Sequence, residues 1–174
     1  MGIQFETDYN METLTAMAKG LRKTVRKKRS RRVHIFAAVV LILGLLTILA
    51  TTAGGEPLGV SGVVTLLAML VVILVSLFED KLNAWFARKR LLPGTEHAVA
   101  TFEEDGYVSA TGVTESRFSY AQIVAVAETA RYFVFALSSH HTQAYDKRTI
   151  RGGSVEDFRA FIAEKTGKLV EEIK

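Results

Sequence analysis

The 174-residue chain has no cysteine, only two prolines and one tryptophan. Without cysteine there are no disulfides, thiolate metal sites or cysteine nucleophiles, which fits a domain facing a reducing compartment. Acids and bases are missing from two further places. Val33–Ala50 and Leu58–Phe78 contain no Asp, Glu, Lys or Arg. Each run is close to the ~20 residues that a helix needs to cross ~30 Å of hydrocarbon. Between them lie Gly54, Gly55 and Pro57, the residues of a tight turn. The pattern predicts a transmembrane helical hairpin over residues 33–78, with spans at 33–51 and 58–78. Neither run carries an ionisable residue at mid-depth, whereas carriers and proton relays need polar groups there. A pore or carrier built from this hairpin alone is therefore disfavoured.

What charge there is, is segregated. The net charge is +4. Residues 1–18 hold Glu6, Asp8 and Glu12 and no base; residues 19–32 hold Lys19, Arg22, Lys23, Arg26, Lys27, Lys28, Arg29, Arg31 and Arg32 and no acid. Beyond the second run come Lys81, Arg88, Lys89 and Arg90 against Glu79 and Asp80. Basic flanks next to membrane helices stay cytoplasmic. With both flanks basic and only Glu56 in the connecting turn, both termini are expected in the cytoplasm, with a very short turn outside. The bases then belong to the membrane interface, contacting anionic headgroups at about 1 kcal/mol per residue. They do not argue for nucleic-acid binding. Trp85 and Phe86, beside Arg88–Arg90, are interface anchors of the usual kind.

Along the chain, Ile3 and Phe5 alternate with Gln4 and Glu6 as in a short strand. Asp8 reads as a helix N-cap, and Leu14, Met17, Leu21 and Val25 recur at helical spacing, so residues 9–32 read as one amphipathic helix entering the membrane. Residues 1–32 thus form an N-terminal strand and basic helix. Residues 79–93 form an interfacial helix ended by Pro93-Gly94, and residues 94–174 a second domain. In that domain HAVATF (97–102) and YVSAT (107–111) flank Asp105-Gly106, a hairpin signal. RFSY (117–120) is ambiguous. IVAVA (123–127), YFVFAL (132–137) and Gln143–Tyr145 read as further strands. Ser154 caps a final helix over Val155–Lys165, with Phe158, Phe161 and Ile162 on its buried face and Gly167 closing it. The expected fold is a membrane α-helical hairpin plus a small α+β cytoplasmic domain: an antiparallel sheet of about five strands capped by a C-terminal helix, which the Ile3–Phe5 strand can join from across the hairpin.

The chain resembles the YcxB-like family of small bacterial membrane proteins. The likeness rests on the N-terminal strand with Thr7-Asp8-Tyr9, the basic helix before two spans, FEEDGY (102–107), FSYAQI (118–123) with Glu128-Thr129, and Lys147-Arg148 after the last strand. Gly152, Phe158 and Phe161 complete it. Where the family favours an aliphatic residue and Pro before Lys-Arg, this chain has Tyr145 and Asp146. The resemblance implies a tail similar to bacterial pleckstrin-homology-like (PH-like) domains and no particular activity.

Lys147 and Arg148, with Arg151 on a glycine-containing turn, form the candidate ligand site. Three neighbouring bases can hold a phosphate or carboxylate; equally, they can pair with nearby acids. His140-His141 lacks the further ligands of a metal site, and no metal or cofactor is expected. Glu103, Glu104 and Asp105 have the spacing of a solvated hairpin tip rather than an EF-hand. Ser116, Ser119 and Tyr120 have no partnering base arrangement for nucleophilic catalysis. Tyr120, Tyr132, Phe133 and Phe135 read as core. The expectation is a non-catalytic, membrane-anchored binding or regulatory module, binding a protein partner, an anionic lipid or a second copy. The alternatives are a structural subunit of a larger membrane assembly, such as a transporter or secretion complex, with contacts through Gly44, Gly59 and Gly62, or an immunity-type protein against a membrane-acting toxin.

Overall fold

A computed structural model describes residues 2–55 and 57–173, so the expected role of Glu56 in the turn lies outside the described residues. The chain divides into two units, one of residues 28–82 and one formed by residues up to Lys27 together with those from Asn83 onward. The sequence boundaries at residues 32 and 94 do not separate these units; both ends of the chain contribute to one folded body.

In the first unit, α2 (Lys27–Ala53) and α3 (Val60–Leu77) form the hairpin. Both have the length and apolarity that crossing a membrane requires. Their aliphatic side chains, from Val33 and Ile35 to Val75 and Leu77, are exposed. Hydroxyl groups within them are satisfied by the preceding turn: Thr47 donates to the Leu43 carbonyl and Thr65 to the Ser61 carbonyl, each at 2.9 Å. Of the three glycines expected at helix contacts, Gly44 is the one that meets the partner helix. A Cβ there would lie 2.8 Å from Met69 Sδ, whereas one at Gly59 meets open space and one at Gly62 meets Leu58, one turn back.

In the second unit, two four-stranded sheets face each other. The first has the order β1 (Ile3–Asp8), β2 (His97–Phe102), β3 (Tyr107–Thr111), β4 (Glu115–Phe118), all antiparallel. The second has the order β7 (Thr142–Asp146), β6 (Tyr132–Ala136), β5 (Ala125–Glu128), β8 (Val170–Glu172). Short 3₁₀ turns follow β4 and β7, over Tyr120–Gln122 and Lys147–Thr149. The N-terminal strand does join the tail: Ile3 pairs with Phe102 and Asp8 with His97, six residues in register. The single antiparallel sheet of about five tail strands is corrected: among the described residues, two sheets are formed by β1 and the tail's seven strands. One of them, β8, runs parallel to β5. At three residues among charges, it is too short to show alternation.

Phe5 explains why β1 belongs here. It is fully buried, with ring centroids 4.6 Å from Phe158 and 5.8 Å from both Phe102 and Tyr145. Around it Phe102, Tyr107, Phe133, Phe135 and the inner face of α5 (Val155–Thr166) complete an aromatic core. Ser154 and Asp157 cap α5 reciprocally, and Gly167 ends it in the left-handed conformation, as expected. The second sheet is covered on its other face as well. All five residues of β6 are buried, and Tyr132, Val134 and Ala144 pack under Ala16 and Met17 of α1 (Met11–Lys23). Gly20 permits this approach, because a Cβ there would lie 2.7 Å from Val134 Cγ1.

Two details of the N-terminal helix differ from expectation. The cap is Asn10, whose side chain accepts from the Glu12 and Thr13 N–H groups at 2.9 and 3.0 Å; Asp8 instead ends β1 and accepts from His97 Nδ1 at 2.7 Å. The helix over 9–32 is not continuous. It breaks at Thr24–Arg26, where the Thr24 hydroxyl takes the Gly20 carbonyl and Arg26 donates to the Ser139 carbonyl at 2.7 Å. Trp85 and Phe86 lie on α4 (Glu79–Lys89).

Candidate functional site

The basic corner follows β7. Its bases come together with five acids, and the arrangement is a balanced network. Glu128, buried at the end of β5, accepts from Lys147 Nζ at 2.9 Å and from both Nε and Nη2 of Arg159 at 2.6 and 2.7 Å. The Arg159 hydrogen bonds, with help from Lys147, hold the Glu128 carboxyl below its ordinary pKa against the opposing effect of burial. Asp146, also buried, accepts from Arg131 Nε at 3.0 Å and from the Arg148 backbone N–H at 3.0 Å and side chain at 2.9 Å. Arg131 also donates to Glu12, tying α1 to the corner. Arg151 pairs with Glu6 at 3.1 Å, and Arg159 reaches Glu156 at 4.0 Å.

Each predicted ligand-binding base is therefore paired with a carboxylate, Lys147 and Arg148 with acids that a second base also engages. Lys147 is the most committed. Its side chain is 15% exposed and lies 5.6 Å from the Phe133 ring centroid. Arg148 and Arg151 keep about two thirds of their side-chain surface. An incoming anion meets those two guanidinium faces and must compete with Asp146 and Glu6. The departure at position 146 has a visible use here. Asp146 donates its own N–H to Thr7 Oγ1 at 3.1 Å, a bond that proline cannot make.

The remaining predicted residues separate. Arg22 and Lys23 lie in the last turn of α1, and Arg26 bonds to Ser139 and, at 2.8 Å, to His140 Nδ1. Lys27, Lys28, Arg29, Arg31 and Arg32 are exposed on the first turns of α2. Arg88 and Lys89 close α4, with Arg90 just beyond. Trp85 and Phe86 form an exposed edge-to-face pair at 4.9 Å, and Lys89 Nζ lies 3.7 Å over the indole. Sequence reasoning missed Glu128 and Asp146 as organising acids. An acid ending an apolar run, AVAE at 125–128, is a legible oddity; its partners 19 and 31 residues away are not. It also missed Gln143, which accepts from the Tyr107 and Tyr145 hydroxyls at 2.7 Å each.

These elements define a class: a two-sheet domain with a C-terminal helix in its core, interrupted in sequence by a pair of long apolar helices. Residues 102–162, from the end of β2 through most of α5, match the family described as YcxB-like protein. No curated protein and no solved structure matches the chain.

Proposed function

We propose that the chain is a membrane-anchored, non-catalytic binding module at the cytoplasmic face of the bacterial inner membrane. The observation that carries this reading is the pairing of β1 with β2 across the hairpin. Strands on either side of residues 28–82 share one folded body, so a hairpin entering a bilayer must leave on the side it entered. The basic flanks support the cytoplasm as that side. Two facing sheets with a helix in the core support a PH-like fold. Trp85, Phe86 and the bases of α2 and α4 suit an anionic headgroup region.

Among ligand classes, the geometry favours a protein partner. The basic corner is neutralised internally, which weakens it as a lipid phosphate pocket. The first sheet, in contrast, ends at β4, whose Glu115, Ser116 and Arg117 are exposed. An extended segment of another protein can add a strand to such an edge. The assembly-subunit alternative would instead make its contacts through the hairpin. A photoreactive amino acid in place of Arg117 or of Val64, which is exposed on α3, separates the two in intact cells. The binding reading expects a discrete crosslinked species from position 117 and none from 64. The reverse result would replace it with the assembly reading.

A further inference from the structure

The inner face of the first sheet changes character toward the β3–β4 turn. Tyr107 and Phe118 face each other across the strands, and so do Ser109 and Ser116. Ser109 is buried at 9% exposure. A two-sheet core would ordinarily carry aliphatic groups at such positions. Here the hydroxyls line a groove of about 290 Å³ between this hairpin, the start of β7 and α1. Thr142 and Gln143 contribute from β7, and Leu14, Met17 and Phe118 form apolar walls. Among the described residues, no Asp, Glu, Lys or Arg lines it.

Gln143 is the most constrained group in the groove. It is 7% exposed, and its Oε1 receives both tyrosine hydroxyls at 2.7 Å. The carboxamide is placed with its oxygen toward the two hydroxyls and its nitrogen toward the groove. Among the described residues, neither Nε2 hydrogen has a partner. The hydroxyls of Ser109, Ser116 and Thr142 likewise have no hydrogen-bond partner among the described residues. Desolvation pushes the Tyr9 hydroxyl, also at the groove, up to about 12, so it stays a neutral donor near pH 7. Gln143 as a residue is buried, but its donor pair opens onto a concave, half-apolar groove, the arrangement by which small-molecule pockets fix orientation.

We infer that this groove is a binding site for an uncharged, carbonyl-bearing small molecule, whose oxygen accepts from Gln143 Nε2 while its apolar body lies against Leu14, Met17 and Phe118. Among the described lining residues no carboxylate meets a cation, and His141 alone can carry a positive charge toward an anion, so the groove favours an uncharged ligand. The site is independent of the membrane reading.

Three compounds of one shape and different charge provide the test: benzamide, benzoate and benzamidine. Full-length protein in nanodiscs is titrated with each by ligand-observed saturation-transfer NMR, subtracting protein-free nanodiscs. Benzamide should give a saturable signal, with benzoate and benzamidine at background. Gln143→Glu keeps the acceptor for both tyrosines and removes the donor pair; it should weaken benzamide at least about tenfold. Ser109→Ala, which removes a hydroxyl without disturbing any protein bond, should weaken it by a smaller factor and covers the case in which Gln143→Glu fails to fold. Absence of saturable benzamide binding, equal binding of the charged analogues, or binding unchanged in the folded variants would overturn the assignment.

Discussion

Glu128 shows what a single residue does in this domain. It is a carboxylate at the end of an otherwise apolar strand, and it holds Lys147 on one side and Arg159 of α5 on the other. Breaking such a pairing costs more than the pair contributes, because the partners are left desolvated. Glu128→Gln should destabilise the domain by about 2 kcal/mol, the scale of lost charge-assisted hydrogen bonds. Chemical denaturation of the wild type and the variant measures it. The pH dependence has a definite sign. The folded-state pKa is depressed, so the stabilisation is full above the ordinary carboxylate pKa and is lost as pH falls from there through the folded value. The variant should therefore show a shallower loss of stability on acidification. An equally steep acid limb in Glu128→Gln would place the titrating group elsewhere. None of this was legible in the sequence beyond the oddity of the acid itself. Lys147-Arg148 stood out as a local pair, but whether such a pair meets a ligand or an acid depends on contacts brought by distant strands.

At the scale of elements, reading was easiest where a signal is local. The 97–111 hairpin with Asp105-Gly106, the α5 cap at Ser154 and the stop at Gly167 all depend on a few adjacent residues, and all stand as read. β8 failed because a three-residue strand has no period to detect. The 9–32 helix failed because Leu14, Met17, Leu21 and Val25 keep helical spacing through a break at Thr24–Arg26, where Arg26 bonds to Ser139 and His140 of a distant loop. The N-terminal strand carries the largest consequence. Phe5 sits in the middle of the aromatic core, and removing a fully buried Phe side chain costs ~3–5 kcal/mol. A fragment of residues 94–174 lacks both β1 and α1, leaving one edge of β2 and one face of β6 uncovered. It should show no cooperative thermal transition. Residues 2–27 joined to 83–173 through a flexible Gly-Ser linker should fold as a soluble protein with one. Circular dichroism melts distinguish these outcomes, and a cooperative melt of the 94–174 fragment would show that β1 is dispensable.

For the molecule as a whole, the two apolar helices were the plainest feature of the sequence. What the sequence could not fix was that the residues on either side of them build a single body. That arrangement makes the hairpin an insertion within a folded domain, and under the proposed membrane anchoring it ties topology to folding: the two flanks can then pair only on one side of the bilayer. The absence of cysteine makes the decisive measurement direct, since single cysteines can be introduced without removing any. Gly2→Cys, Ser139→Cys and Gly54→Cys report respectively on β1, the second sheet and the turn of the hairpin. In spheroplasts treated with a membrane-impermeant maleimide, the account predicts labelling at position 54 alone, with positions 2 and 139 becoming reactive together only after permeabilisation. Labelling of position 2 or 139 in intact spheroplasts would contradict it.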